Sequence, residues 1–181
     1  MKVSDTDIPE VLLLEPPVFP DERGFFLEFW NACTFRNLVH SDVQFVQDNQ
    51  SRSTRGVLRG LHYQITRPQG KLIRVSRGSV FDVAVDLRKS SPTFGRWVGA
   101  ELSEDNHHQV WIPPGFAHGF FVLSEIADIL YKTTDYYSPD HERCIIWNDS
   151  ELAIDWPLDS APMLSAKDRR GVPLSKAEVF A

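Results

Sequence analysis

A histidine in a short apolar run is the first residue in this chain able to do chemistry at neutral pH. His62 stands in VLRGLHYQ, Val57 to Gln64, among Leu58, Leu61 and Tyr63, with Arg59 just upstream. Imidazole has the unperturbed pKa nearest neutrality, so a general base is one reading and a hydrogen-bonded core histidine is the other. Strict strand alternation puts His62 on the face of Leu58 and Gly60, with Arg59 on the opposite face. Both enter one pocket only if Gly60 marks a bulge that re-aims the chain. Tyr131, in ILYKTTDYY, has the same two readings. It is either a buried phenol with a bonded hydroxyl or a general acid that reprotonates a carbanion formed by His62.

Cations recur beside aromatics or in strand context: Arg23 before Phe25-Phe26, Arg59 before His62, Lys71 after Gly70, and Arg74. Singly each is an ordinary surface charge, whereas several converging on one cavity would suit a doubly charged phosphate ligand. Gln47-Asp48-Asn49 either reads the amide and carbonyl edges of a base or caps a turn. Tyr136-Tyr137, ahead of Ser138-Pro139, is either a packed corner or a stacking platform for an aromatic ring. There is no G-x-x-x-x-G-K-[ST] loop and no G-x-G-x-x-G, so neither an ATP loop nor a dinucleotide fold is supported.

In WIPPGFAHGF, Pro113-Pro114-Gly115 forces a tight turn before His118. The Pro113, Gly115, His118 spacing resembles the second motif of the cupin superfamily, whose histidine can ligate a metal. A metal cupin also carries a His-x-His pair and a glutamate in its first motif, where this chain has His62-Tyr63-Gln64. That falls short of the three protein ligands usual at a catalytic metal, so no metal is expected. His107-His108 follows Glu104-Asp105-Asn106 and reads as a solvated turn, with the two rings pointing to opposite faces.

These residues need a rigid frame. Runs rich in Val, Ile, Phe, Tyr and Trp fall between the 10 glycines and 12 prolines. Alternation is clearest over Val80–Leu87, where Phe81, Val83, Val85 and Leu87 share a face. Similar runs cover residues 24–30, 57–64, 71–76, 96–102, 108–112, 118–123 and 126–133. Helical turns are expected only at 34–39 and 165–170. Many short strands between turn signals give an all-β fold, a jelly-roll β-barrel or sandwich with a few short helices. One domain over 1–181 is expected, with 151–181 packing over the barrel.

The chain has 181 residues, 19 Lys plus Arg against 25 Asp plus Glu, and a formal net charge of −6. That balance disfavours a nucleic-acid binder. No apolar run is long enough to span a bilayer, and MKVSDTDIPE lacks the apolar core of a signal peptide. Two cysteines, Cys33 and Cys144, are too few for a disulfide framework, so reduced thiols and a cytoplasmic setting are expected.

Taken in order and spacing, long segments closely resemble the dTDP-4-dehydrorhamnose 3,5-epimerase family, cupin-fold enzymes of nucleotide-sugar metabolism. They are FPDERGFFLEFWN, FVQDNQSRSTRGVLRGLHYQ, QGKLIRVSRGSVFDVAVDLRKSSPTFGRWVG, QVWIPPGFAHGFFVLS, ILYKTTDYYSPDHERCIIWND, IDWP and LSAKD. Gln50 stands where the family often has histidine. The resemblance implies conversion of dTDP-4-dehydro-6-deoxy-D-glucose to dTDP-4-dehydro-L-rhamnose, in dTDP-L-rhamnose biosynthesis, without cofactor or metal. A single-site epimerase on a related dTDP-4-ketosugar is the alternative. It implies His62 as base oriented by Asp168, Tyr131 as proton donor, and Lys71 facing substrate oxygens. Arg23, Phe26, Glu28, Gln47, Asp48, Asn49, Arg59, His118, Glu142 and Lys167 would contact the substrate, with Tyr137 stacked on thymine. It also implies a homodimer in which the N-terminal region of each subunit reaches the other's site.

Overall fold

A computed structural model describes residues 1–39 and 42–181 of the chain. Thirteen strands and one α-helix follow in order: β1 Lys2–Asp5, β2 Leu12–Glu15, β3 Val18–Asp21, β4 Gly24–Leu27, α1 Ala32–Val39, β5 Gln47–Thr54, β6 Leu58–Gln64 and β7 Lys71–Arg77. β8 Ser79–Asp86, β9 Trp97–Ser103, β10 Gln109–Ile112, β11 Phe116–Val122, β12 Ile126–Thr133 and β13 Glu142–Cys144 complete the set. A six-stranded sheet in the order β1-β2-β10-β7-β12-β5 faces a five-stranded sheet, β13-β6-β11-β8-β9, and β3 and β4 form a separate hairpin. Every named strand pair is antiparallel. This is the expected all-β, cupin-type jelly roll.

Alternation explains three apolar layers. Between the sheets lie Ile73, Val75, Val80, Ala84, Val110, Phe116, Phe120 and Ile129. Outside the five-stranded sheet, Val83, Val85 and Leu87 meet Leu58, Leu61, Phe121 and Ile145, with Leu152, Trp156 and Leu174 of the C-terminal segment laid over them. Phe81, Val83, Val85 and Leu87 therefore share the outer face, as their spacing requires. The third layer is α1 against the six-stranded sheet, where Phe35 packs on Leu14, Leu72 and Trp111. Asn31 begins that helix: its Oδ1 accepts from the Cys33 and Thr34 amides, at 3.0 and 3.2 Å.

The expected bulge is present. On β11, His118 and Phe120 are two positions apart, yet they face His62 and Arg59, three apart on β6. The extra residue turns two side chains of opposite parity toward one cavity. Gly60 sits inside it at φ +131, and a Cβ there would stand 2.5 Å from Gly119 Cα. Both facts demand glycine. Substituting Gly60→Ala combines a backbone conformation that L-residues avoid with a main-chain clash, and a loss of more than about 2 kcal/mol is expected in urea unfolding. Gly24→Ala, at φ +134 with open space around it, carries only the conformational part, about 1 kcal/mol.

Candidate active site

Between the sheets, at the end where β5, β6, β7, β11 and β12 converge, lies a cavity of about 360 Å³. Its lining includes Arg59, His62, Lys71, His118, Tyr131, Tyr137, Glu142 and Lys167, with Gln47 and Asn49 on one wall. The volume falls in the ordinary range of ligand pockets, about 300–1,000 Å³. A larger open groove beside α1, about 930 Å³, is lined chiefly by apolar side chains and the acids Asp5, Glu10 and Asp42. Among the described residues, no imidazole lines it.

His62 enters from β6 with its Nε2 2.7 Å from Asp168 Oδ1. Asp168 begins a short 3₁₀ turn, Asp168–Arg170, and is 2% exposed. Its carboxylate also accepts from the Gly60 amide at 3.2 Å and from Ser165 Oγ at 2.5 Å. Burial pushes the acid's pKa upward, but donation from His62, Ser165 and Gly60 outweighs it and holds Asp168 ionised well below the usual carboxylate range. Burial lowers the His62 pKa. Asp168 opposes that shift, whereas Lys167 and Lys71 reinforce it. At neutral pH the ring is therefore neutral, and one of its nitrogens is turned away from Asp168.

The opposite wall is the six-stranded sheet. Tyr131 projects from β12, and burial raises its pKa, so the phenol stays protonated. Lys71, at the start of β7, donates to the His62 carbonyl at 3.4 Å. Burial lowers its ammonium to about 8, and Asp82 and then Glu142 work against that fall. Glu142, lifted by burial, is brought below its ordinary value by Lys167 Nζ at 2.7 Å and the Tyr137 hydroxyl at 2.9 Å. Gln47 accepts from the Tyr137 amide at 3.0 Å and donates to Asn49 at 2.8 Å. Arg59 is aimed by Ser53 Oγ at 3.1 Å. An imidazole and a phenol thus line one cavity from two sheets, with cations alongside.

Some expected residues lie elsewhere. Asp48 alternates out of the cavity between Gln47 and Asn49, and its carboxylate takes Lys132 Nζ at 2.9 Å on the outer face. Period-two geometry allows no other result for that trio. Arg23, Phe26 and Glu28 sit on or just after the β3–β4 hairpin, outside the cavity lining. Arg23 bonds Asp21, and Phe26 is 69% exposed.

Sequence reasoning missed five neighbours. Asp82, 2% exposed, meets His118 Nε2 at 2.8 Å through Oδ2. A lone acid on the inward face of an apolar strand was the available signal. Ser51, Gln69 and Phe120 complete the lining. Cys144 is paired with His62 across β13 and β6, and its sulfur lies among the His62 and Asp168 ligand atoms.

Comparison with known proteins agrees with this geometry. Residues 5–176 match the family model described as dTDP-4-dehydrorhamnose 3,5-epimerase. A Pseudomonas aeruginosa protein of that name is 62% identical over 180 residues, 99% of each chain. One from Salmonella typhimurium is 57% identical over 178 residues, 98% of this chain and 97% of its own. The Legionella pneumophila dTDP-6-deoxy-D-glucose-3,5-epimerase, solved in complex with dTDP-4-keto-L-rhamnose, superposes with a TM-score of 0.96 at 52% identity. That match covers 98% of this chain and 94% of the other.

The buried Asp82 carboxylate is the first-named support of the Lys71 charge, so Asp82→Asn will move the Lys71 midpoint below about 8. The pH dependence of Lys71 Cε chemical shifts reads this directly, and an unmoved midpoint would show that the two groups are uncoupled.

Proposed function

We propose a division of labour in the cavity, on the premise that this chain belongs to the dTDP-4-dehydrorhamnose 3,5-epimerase family and is an isomerase of dTDP-4-dehydro-6-deoxy-D-glucose, inverting C3 and C5. The observation that carries it is a neutral imidazole braced by a carboxylate on one sheet and a protonated phenol on the facing sheet.

The ketone at C4 acidifies the protons on C3 and C5, because each carbanion is stabilised as an enolate. The His62 nitrogen turned away from Asp168 takes the proton, and Asp168 holds the ring and stabilises the imidazolium. Lys71 faces the C4 oxygen as charge develops there. A prearranged cation of this kind contributes about 2.7–4 kcal/mol in a dry site, by analogy with an oxyanion-hole donor. Tyr131 delivers a proton to the opposite face, which inverts the centre. Both groups then exchange with water, and C3 and C5 are handled in turn. Substrate and product have the same oxidation level, so the chemistry needs no net hydride transfer.

Arg59 and His118 serve the diphosphate and sugar oxygens, and Tyr137 with Gln47 and Asn49 the thymidine. Glu142 and Lys167 line the sugar's path. Binding energy from the nucleotide holds the ring in register for both proton transfers. The whole chain, 1–181, acts as one cupin-like unit with 151–181 as its outer cover. Free thiols at Cys33 and Cys144 suit the reducing cytoplasm, where nucleotide sugars are made.

A second copy completes the site. Phe19, Phe25 and Phe26 are 57, 59 and 69% exposed on the β3–β4 hairpin, and Arg23 is at its turn. Such an apolar projection needs a partner surface. A homodimer exchanging these hairpins brings Arg23, Phe26 and Glu28 to the neighbour's cavity.

His62→Ala will abolish turnover and deuterium incorporation from heavy water at C3 and C5, with dTDP binding retained. The parent protein incorporates deuterium at both carbons. Near-normal epimerisation by the variant would remove His62 from the mechanism, and label at one carbon would narrow the reaction to a single-site epimerase. Replacing both Phe19 and Phe26 by Ser will convert a dimer in sedimentation equilibrium to a monomer with weakened substrate binding.

A further inference from the structure

The catalytic pair has a neighbour with no part in proton transfer. Cys144 and His62 are direct cross-strand partners on β13 and β6. The Cys144 sulfur, an imidazole nitrogen of His62 and a carboxylate oxygen of Asp168 all lie within 4.8 Å of one another. A tetrahedral zinc at ordinary bond lengths of about 2.0–2.3 Å spaces its donors about 3.3–3.8 Å apart, so modest side-chain adjustment closes the three on one ion. Sulfur, nitrogen and oxygen together suit a thiophilic divalent cation and discriminate against magnesium or calcium, which take oxygen alone.

We propose that His62, Cys144 and Asp168 form an inhibitory site for a soft divalent metal such as zinc. The inference rests on the role of His62 as base. On binding, the thiol proton passes to solvent, a metal–sulfur bond forms, and the imidazole donates its lone pair to the cation. A base in that state accepts no proton from C3 or C5. His62 lines the cavity, and its side chain retains 23% exposure. The pair works without metal, and the third donor converts it into a trap.

Cobalt(II) is the spectroscopic probe and zinc the inhibitor. In the intact protein, cobalt will give a thiolate-to-metal charge-transfer band, and zinc will stop turnover reversibly, with recovery on adding a chelator. Cys144→Ala, and Cys144→Ser as the conservative check on folding, will keep basal turnover. They will lose the band and need at least about tenfold more zinc for half-inhibition, as expected when a metal's ligand set is damaged. Absence of the band in the intact protein, or equal zinc sensitivity of Cys144→Ala, overturns the site. The band with undiminished turnover at saturating metal upholds the site and instead overturns His62 as the base.

Discussion

One carboxylate ties the molecule together. Asp168 binds the His62 ring, the Gly60 amide inside the bulge and Ser165 on its own turn. The C-terminal cover, the irregular point of β6 and the imidazole thus share a single anchor 2% exposed to water. Burying a charge there is costly by itself, and the ring of donors offsets that cost. The same donors keep the group ionised across the working pH range. The same carboxylate therefore fixes both the His62 ring and the C-terminal 3₁₀ turn against β6.

The rest of the cavity follows from competition between burial and charge. Burial drives every ionisable group toward its neutral form, and this raises Tyr131 while lowering His62 and Lys71. In the proposed mechanism the phenol donates and the imidazole accepts, so the neutral form is the useful one for both. Lys71 is the exception, because the proposed contact with an enolate oxygen requires an ammonium. The structure supplies Asp82 and Glu142 as opposing charges, and the lysine remains mostly cationic at pH 7. The net charge of −6 is thus compatible with an anionic ligand. The overall sum is acidic while the cavity wall carries Arg59, Lys71 and Lys167.

Strand alternation made much of this architecture legible in advance. The apolar runs at residues 57–64, 71–76, 80–87 and 126–133 became β6, β7, β8 and β12 within a residue or two. The parity conflict between Arg59 and His62 located the bulge. What escaped was polar or short. β5, QDNQSRST, has no apolar residue and gives no hydrophobic signal. β13 spans only three residues, and its pairing with β6 is fixed by tertiary contact. Missing β5 left Gln47-Asp48-Asn49 without an inside and an outside, so Asp48 was grouped with neighbours that point the other way. Asp82 and Cys144 carry no motif, and their significance lies in what stands across the strand from them.

β5 has one further consequence. It closes one side of the cavity as the last strand of its sheet, and among the described residues only β12 pairs with it. Its retention depends on that ladder and on ion pairs such as Arg52 with Asp128 and Lys132 with Asp48. Without apolar anchors it gains little from the hydrophobic effect that fixes β7 and β12. Segments with few buried apolar contacts open at lower free energies than the core. The wall beside Tyr131 is therefore held by backbone pairing and surface charge, a different kind of support from the apolar packing behind it.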